Sequence, residues 1–345
     1  MKRVVLSGIK KLELIESPKP EIVNGNDVLL RMDTVGVCGS DMHYYNEGRI
    51  GDQVINFPFT IGHEGSAHVE KIGSNVSKLK PGDLVAIDPA LSCGKCSQCL
   101  AGREHTCTNQ KFLGCPGQIE GCLAEYIIMP ESNCYKVPET LNGEDAALIE
   151  PLSIGYYTSR FLKNLKGVNS IGIFGVGPIG LSVLLSLQTM GYNIIFVTDK
   201  LDYRLKVAEN AGAILGLNPL KENIVTKLRK KIPELFDTIF ECCGKQEAID
   251  QAIELLKPGG TLLIVGIPEV DRISFNISKL RRKEITIQNV RRQNNCVQQC
   301  IDLTNSGKWF PEFMITHRYA LDKTNEAFNT ASNYKDGVIK ALIKF

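Results

Sequence analysis

The chain has 345 residues, and its 40 Lys and Arg residues against 38 Asp and Glu residues give a formal net charge of +2. Such a small charge gives no electrostatic reason to expect a nucleic-acid partner or an anionic membrane. A hydrophobic fraction of 43% and a charged fraction of 23% are ordinary for a globular protein, and the length suffices for two domains.

No stretch approaches the ~18 consecutive apolar residues of a membrane-spanning helix. Residues 1–7 form too short an opening segment to be the apolar core of a signal peptide. We therefore expect residence in the cytoplasm.

From residue 1 to about residue 138, short apolar runs are separated by Gly and Pro, which predicts an irregular all-β domain. Strands are predicted at residues 28–32 and 66–73, and at residues 84–87 after a turn at residues 80–83. His68 lies in the second of these strands, where a structural role is favoured over metal binding.

Cys38, His63 and Glu64 lie in the same region and offer one sulfur, one nitrogen and one oxygen. Zn²⁺ accepts all three donor types, and a catalytic zinc takes three protein ligands and leaves a position open. An apolar segment with one Cys and one His also occurs in ordinary protein cores. The rest of the chain has to decide between these interpretations.

Four cysteines follow within about residues 90–110, in a segment rich in loop-forming residues. Four thiolates at this spacing can enclose one zinc ion and leave no position for a substrate. An iron–sulfur cluster is the alternative, but its bacterial motif has a shorter final gap followed by Pro, and here Thr108 follows. His105 is a conceivable substitute ligand. The favoured structural-zinc ligands are Cys93, Cys96, Cys99 and Cys107.

The remaining seven cysteines are scattered and odd in number, which argues against a disulfide framework in a reducing compartment. We interpret them as small, buried, apolar residues: Cys115, Cys122, Cys134, Cys242, Cys243, Cys296 and Cys300.

Around residues 148–152 the pattern becomes helical, and Glu150 stands inside an apolar run. A carboxylate in such a run is costly unless it is paired or binds a metal ion. A simple charge on a helix face beside Pro151 is the alternative.

A glycine-rich turn opens the next region. Gly175, Gly177 and Gly180 form a G-x-G-x-x-G motif between an apolar strand at residues 171–174 and a helix at 181–190, which is the context that indicates dinucleotide binding. The glycines allow a tight turn and close approach of a pyrophosphate to the helix N-terminus. Asp199 ends the second strand, where an acid reads the adenosine ribose 2′-hydroxyl; a helix N-cap is the alternative.

Strands and helices then alternate, which predicts about six strands with crossover helices and hence a doubly wound parallel sheet. After about residue 289 the alternation lapses, and the remaining segment is expected to pack on the first domain. Helices are predicted at residues 204–211, 224–231 and 246–256, and strands at 194–198, 214–218, 236–240, 261–265 and 284–288.

Taken together, these residues resemble the zinc-dependent medium-chain dehydrogenase/reductase family over essentially the whole chain. The motifs that match are Cys38-Gly39-Ser40-Asp41, Gly62-His63-Glu64-Gly65, Lys80-Pro81-Gly82-Asp83, the four-cysteine segment and the glycine motif. The sorbitol (polyol) dehydrogenase branch is the most similar, on residues 38–45, 48–51 and 149–153. Where animal enzymes of this branch carry Arg-Tyr, this chain has Arg291-Arg292, so substrate recognition at Arg292 is open.

The resemblance implies a GroES-like β-rich catalytic domain (residues 1–151 and 290–345) and a Rossmann NAD-binding domain (152–289), with a cleft between them. It implies two zinc ions per chain, one catalytic and one structural, with NAD as the second cofactor. The catalytic zinc would be held by Cys38 and His63 together with Glu64 or Glu150, and which carboxylate touches the metal stays open.

The other implied sites lie in both domains. Ser40 and His43 would relay the substrate proton to solvent through the nicotinamide ribose. Tyr44, Glu150 and Arg291 would face the substrate. The residues expected to contact the cofactor are Gly175, Gly177, Pro178, Ile179, Gly180, Asp199, Lys200, Arg204, Val265, Gly266, Ile267, Asn289, Val290 and Arg291.

The predicted activity is the NAD-dependent oxidation of a secondary alcohol of a polyol such as sorbitol or xylitol to the ketose, with zinc as Lewis acid. A dehydrogenase of a sugar-alcohol phosphate or of an amino alcohol, similar to threonine dehydrogenase, is the alternative within the class. A non-catalytic nucleotide-binding sensor is the alternative from another class. The resemblance further implies a homotetramer, or a homodimer, that pairs through an edge strand near residues 285–289.

Overall fold

The computed structural model describes residues 1–164 and 167–345. The chain forms two compact units, one made of Met1–Pro151 with Asn294–Phe345 and one made of Leu152–Gln293.

The helices and strands are numbered in chain order. The α-helices are α1 Gly39–Glu47, α2 Ser97–Leu100, α3 Gly143–Ser159, α4 Pro178–Thr189, α5 Asp202–Asn210, α6 Ile224–Lys231, α7 Gln246–Leu255, α8 Ile277–Lys283, α9 Val297–Asn305 and α10 Thr324–Ser332. The strands are β1 Lys2–Gly8, β2 Lys11–Glu16, β3 Asp27–Gly36, β4 Arg49–Ile50, β5 Gln53–Val54, β6 Glu64–Ile72, β7 Leu84–Ile87, β8 Ala90–Leu91, β9 Lys111–Phe112, β10 Tyr126–Pro130, β11 Cys134–Lys136, β12 Ile171–Phe174, β13 Ile195–Thr198, β14 Leu215–Leu217, β15 Phe236–Glu241, β16 Leu256–Ile264, β17 Thr286–Asn289, β18 Ile315–Ala320 and β19 Lys340–Lys344.

The first unit is built around a seven-stranded sheet in the order β11-β7-β6-β3-β19-β18, with β10 also paired to β3. Its core is apolar and includes the fully buried Leu30, Met32 and Ile61. The last strand, β19, runs antiparallel to β3 with Leu342 opposite Gly36. This pairing brings the C-terminal residues beside the start of β6, where Glu64 lies opposite Gly36.

The expectation of an all-β first region is wrong at α1. This helix begins after Cys38, whose backbone N–H donates to Asp41 Oδ2 at 3.3 Å. It ends at Gly48, which has φ of 70° and donates to the Tyr44 carbonyl. The nine residues carry no apolar stripe, so hydrophobic periodicity could not reveal the helix. Helices α9 and α10 lie in the C-terminal region where the sequence pattern lapsed.

The second unit is a six-stranded parallel sheet in the order β14-β13-β12-β15-β16-β17. This order is that of a doubly wound dinucleotide-binding fold, whose strand order reverses between β12 and β15. Both strands are completely buried, as expected for a parallel sheet covered on both faces. The predicted fold class, a GroES-like β-rich domain plus a Rossmann parallel sheet, is confirmed. Strand β16 begins earlier than predicted, at Leu256.

All twelve cysteines lie in the described residues, and none of them belongs to a disulfide bond. Five of the seven interpreted as core residues are buried, but Cys242 is half-buried and Cys243 is exposed. The interpretation is therefore wrong for Cys243, because it follows the C-terminal end of β15, where the chain leaves the sheet.

In the described part of the chain, no helix combines the length and the apolar character needed to cross a membrane.

Candidate functional site

Cys38 and His63 come together around Ser40. The Ser40 hydroxyl donates to Cys38 Sγ at 3.3 Å and lies 3.3 Å from His63 Nε2. Cys38 precedes α1 and His63 precedes β6, so two element ends supply the sulfur and the nitrogen. Both atoms therefore lie near one point, as a shared metal ion requires.

Asp41 orients His63 from the other side of its ring. Its Oδ1 atom lies 3.3 Å from His63 Nδ1 and accepts the Gly62 N–H at 3.3 Å. Burial alone lowers the pKa of His63, but Asp41 and Cys38 raise it well above its ordinary value. A carboxylate on the far ring nitrogen is the usual partner of a metal-binding histidine. Asp41 belongs to the motif Cys38-Gly39-Ser40-Asp41 that sequence analysis recognised, but no role was predicted for it.

Glu64 is paired with a lysine that sequence analysis did not single out. Lys340 Nζ donates to Glu64 Oε1 at 2.8 Å, to Glu64 Oε2 at 2.6 Å and to the Val37 carbonyl at 3.2 Å. Both side chains are 1% exposed. Burial alone lowers the pKa of Lys340, but Glu64 and Cys38 raise it above its ordinary value, so the ammonium stays charged.

Glu150 is the second carboxylate near this cluster. It lies on α3 and is 6% exposed. Burial raises the pKa of Glu150 to about 7, with His63 and Lys340 acting against burial and Glu64 adding to it. Glu150 therefore interacts electrostatically with His63, Lys340 and Glu64.

The donor types suit zinc, because a thiol and an imidazole lie on either side of Ser40 and the carboxylates of Glu64 and Glu150 act electrostatically on the same region. Among the described residues, however, only the four cysteines bring three or more ligand atoms within 4.8 Å of one another. Both oxygens of Glu64 accept hydrogen bonds from Lys340, so Glu64 would have to exchange one of them for a metal ion. Glu150 would reach the same ion from α3.

Two other predicted residues lie on α1. Tyr44 is 5% exposed, and its hydroxyl donates to Gln53 Oε1 at 3.1 Å and lies 3.8 Å from Cys115 Sγ. His43 is half-buried. Their predicted roles, in substrate binding and proton relay, stay predictions.

The four cysteines of the second predicted zinc site converge. All four sulfur atoms lie within 4.8 Å of one another, and the Cys96 and Cys99 sulfurs are 3.5 Å apart. The N–H groups of Cys99 and Thr108 lower the pKa of Cys96 to about 5, which favours the thiolate that zinc binds. The fourth member is Cys107, and His105 is not part of the group.

In the second unit, the glycine motif forms the expected turn. Gly175 has φ of 91°, a left-handed conformation that favours glycine. A Cβ atom on Gly180 would lie 2.0 Å from the Gly175 carbonyl oxygen, so only glycine lets α4 approach β12 this closely. Gly177 is the N-cap of α4, and Pro178 and Ile179 begin its first turn.

Asp199 directly follows β13 and holds two backbone groups. Its Oδ2 atom accepts the Val176 N–H and its Oδ1 atom accepts the Leu201 N–H, both at 2.9 Å. The N-cap residue of α5 is Leu201, so Asp199 itself is not the cap. The carboxylate therefore ties the glycine-rich turn to the segment that precedes α5.

The remaining predicted cofactor residues lie at the same end of the parallel sheet. Arg204 Nη1 lies 3.2 Å from where a Cβ atom on Gly177 would be, while Lys200 is exposed. The others lie at or just after the ends of β16 and β17, and three of them, Ile267, Asn289 and Arg291, are exposed: Val265, Gly266, Ile267, Asn289, Val290 and Arg291.

Comparison with known proteins places the chain in a family. Residues 24–139 match the family described as the alcohol dehydrogenase GroES-like domain, and residues 178–306 match the family described as zinc-binding dehydrogenase. A sorbitol dehydrogenase from Bacillus subtilis is 33% identical, over 99% of this chain and 97% of the relative. A sorbitol dehydrogenase from Mus musculus is 35% identical, over 99% and 95%.

Solved structures agree. An Escherichia coli oxidoreductase/dehydrogenase of unknown specificity has a TM-score of 0.93 and 32% identity, over 99% of this chain and 98% of that chain. A putative zinc-binding dehydrogenase from Sinorhizobium meliloti, bound to NADP, has a TM-score of 0.89 and 26% identity over 100% and 99%. An E. coli alcohol dehydrogenase complexed with NADH gives the same four values.

The identity to full-length relatives, the two family matches and the grouping of Cys38 with His63 lead to one conclusion. The chain belongs to the zinc-dependent medium-chain dehydrogenase/reductase family and is an oxidoreductase that acts on CH–OH donors.

Proposed function

We propose that this protein oxidises a secondary alcohol of a polyol, such as sorbitol or xylitol, to the ketose, with NAD as hydride acceptor. The observation that carries the proposal is the grouping of Cys38, Ser40 and His63 in a chain whose full-length relatives include sorbitol dehydrogenases.

Cys38 and His63 would hold the catalytic zinc, with Glu64 or Glu150 as the carboxylate ligand. Bound zinc supplies Lewis-acid polarisation of the substrate oxygen, and bound NAD supplies the hydride acceptor. Asp41 contacts Nδ1 of the His63 ring, and Nε2 faces Ser40 Oγ. We assign to Ser40, whose Oγ lies 3.3 Å from both Cys38 Sγ and His63 Nε2, the role of taking the substrate proton and passing it towards His43.

Tyr44, Glu150 and Arg291 are the proposed substrate-facing residues. Their hydroxyl, carboxyl and guanidinium groups suit a chain of hydroxyls better than a simple alkyl alcohol.

Asp199 favours NAD over NADP as the cofactor. A carboxylate accepts hydrogen bonds from a ribose 2′-hydroxyl but repels a 2′-phosphate. Related structures contain NADH in one case and NADP in another, and Lys200 and Arg204 near Asp199 would moderate the preference without reversing it.

The four-cysteine group is proposed as a structural zinc site, because four thiolates leave no open coordination position. We further propose residues 1–151 with 290–345 as the catalytic domain, residues 152–289 as the cofactor domain, and a cytoplasmic homotetramer that pairs through the edge strand β17.

An activity screen tests the function. Zinc-replete protein is assayed for NADH and NADPH formation with sorbitol, xylitol, their phosphates and threonine. The proposal predicts the highest kcat/KM for an unphosphorylated polyol with NAD. If a sugar-alcohol phosphate or threonine gave the highest kcat/KM, the proposed substrate class would be wrong. If no substrate were oxidised although NADH bound tightly, the result would favour a non-catalytic sensor.

A further inference from the structure

Glu241 is a completely buried carboxylate at the point where the strand order of the parallel sheet reverses. It is the last residue of β15, is 0% exposed, and lies opposite Phe174, the last residue of β12. Ligands of doubly wound sheets bind outside the carboxyl ends of the strands at such a reversal. Glu241 therefore borders the proposed cofactor crevice, although the motif that predicted the crevice does not include it.

The Glu241 side chain holds the turn that follows it. Oε1 accepts the Cys243 N–H at 2.8 Å, the Gly244 N–H at 2.6 Å and the Cys243 thiol at 3.0 Å. Hydrogen bonds to an ionised acceptor are stronger than those to a neutral one. Three such bonds on one oxygen fix the backbone of this turn.

The Glu241 backbone holds a second loop. Its carbonyl oxygen accepts the N–H groups of Val265 at 2.8 Å and Gly266 at 2.9 Å. The loops touch one another, since a Cβ atom on Gly266 would lie 2.3 Å from the Gly244 nitrogen. A Cβ atom on Gly175 would likewise lie 2.9 Å from Cys243 Cβ.

Glu241 thus joins three loops: the glycine-rich turn after β12, the turn after β15 and the loop after β16. The first is the proposed pyrophosphate site, and the third carries residues proposed for the nicotinamide side.

The other carboxylate oxygen of Glu241 makes the folded state less stable. Oε2 is buried, and no hydrogen-bond partner lies within reach among residues 1–164 and 167–345. Burial of an acceptor without a partner is unfavourable, because the oxygen loses its hydrogen bonds to water and gains none in return. Stability alone is therefore a poor reason for a glutamate at this position.

We propose that Glu241 is a positioning residue for the dinucleotide: its carboxylate sets the turn at Cys243–Gly244 against Gly175 and Gly266, and so shapes the crevice for the cofactor. This inference rests on the proposed NAD-dependent function.

The same strand supplies a matched control. Asp237 is 8% exposed, and its Oδ2 atom accepts the N–H groups of Asn169 at 2.8 Å and Ser170 at 2.9 Å. It lies near the start of β15, whereas the crevice lies beyond the strand's end. Asp237→Ala removes a comparable carboxylate clamp without touching the crevice.

The experiment compares full-length, zinc-replete wild type, Glu241→Ala, Glu241→Gln and Asp237→Ala. Hydrogen exchange of the cofactor-free proteins, thermal unfolding and NADH binding by fluorescence titration are measured. Glu241→Ala is expected to speed exchange in the peptides that cover Cys243–Gly244 and Gly266. It should also weaken NADH binding by about tenfold, because charge-assisted hydrogen bonds are lost.

Glu241→Gln keeps an acceptor oxygen and should restore most of the affinity. Asp237→Ala should lower the unfolding temperature but leave NADH affinity within about twofold, because the site is separate. Equal losses of NADH affinity in Glu241→Ala and Asp237→Ala, or unchanged exchange in the peptides that cover Cys243–Gly244 and Gly266, would overturn this inference but not the proposed function. Failure of the wild type to bind NADH would overturn the proposed function and this inference with it.

Discussion

Lys340 and Glu64 form a fully buried ion pair in which both carboxylate oxygens accept hydrogen bonds from one ammonium group. The two residues are 276 positions apart in the chain and meet because β19 and β6 both pair with β3. A charge left alone in such an interior is far less stable than the pair. Lys340 thus compensates the charge that Glu64 brings to the proposed metal site.

Lys340→Met should destabilise the protein by about 3–5 kcal/mol, because Glu64 would be left as an uncompensated buried charge. Urea unfolding of the metal-free protein measures the change. Lys344→Met is the matched control on the same strand, since Lys344 is 38% exposed and pairs with Asp33 at 3.2 Å. A half-exposed pair contributes about 0–1 kcal/mol. Equal stability of the two variants would show that the buried pair is unimportant.

Metal analysis tests the two-zinc assignment. Cys38→Ser should retain about one zinc ion per chain and lose activity, because the four-thiol group is untouched. Cys96→Ser should instead lose the structural ion and unfold at a lower temperature, since binding of structural zinc contributes to folding free energy. Loss of both ions from a folded Cys38→Ser protein would contradict two separate sites.

Asp199→Ala should weaken NAD binding by about tenfold or more. A hydrogen bond to a charged group is worth about 1.5–3 kcal/mol, and 1.4 kcal/mol is a factor of ten. NADP binding should weaken less than NAD binding, so the ratio of the two affinities should move closer to one. The Val176 N–H also loses its hydrogen bond to Asp199 Oδ2, which should weaken NAD binding further.

Asp202→Ala is the control for charge, because Asp202 lies on the adjacent helix and its side chain is 57% exposed. Its kcat/KM ratio for NAD over NADP should match the wild type. A wild-type enzyme with the higher kcat/KM for NADP would refute the role given to Asp199.

Asp83 should contribute to the loss of stability in acid. Burial alone raises its pKa, but Lys136 Nζ at 2.7 Å and the Lys80 N–H at 3.0 Å lower it below its ordinary value. A lowered folded-state pKa contributes stability above the unfolded pKa of about 4, and this stability is lost as the pH falls through the folded value.

The unfolding temperature of Asp83→Asn should therefore be lower than that of the wild type near neutral pH, and the two should converge below about pH 4. A difference that stays constant from neutral to acid pH would show that the ionised form of Asp83 is not stabilising.

Local sequence signals predicted the six strands of the second unit and the helices α4 to α7, because buried parallel strands are continuous apolar runs and the glycine motif lies in one short stretch. The short helix α8 was not predicted. The helix α1 was missed, since its start depends on Asp41 and its end on Gly48 rather than on an apolar stripe. Lys340 was also missed, because its partner is distant in the chain and becomes adjacent only through sheet pairing. Glu241 falls outside the glycine motif, and its role depends on three loops that meet in space.

The ratio of kcat/KM for sorbitol or xylitol to that for 2-propanol, measured as NADH formation, decides whether this protein is a zinc-dependent polyol dehydrogenase. A site built to bond several hydroxyls rejects an analogue that lacks them by about ten-thousandfold or more. We predict a ratio of that order and its loss on zinc chelation. Equal kcat/KM for 2-propanol and the best polyol would show that the protein is not a polyol dehydrogenase.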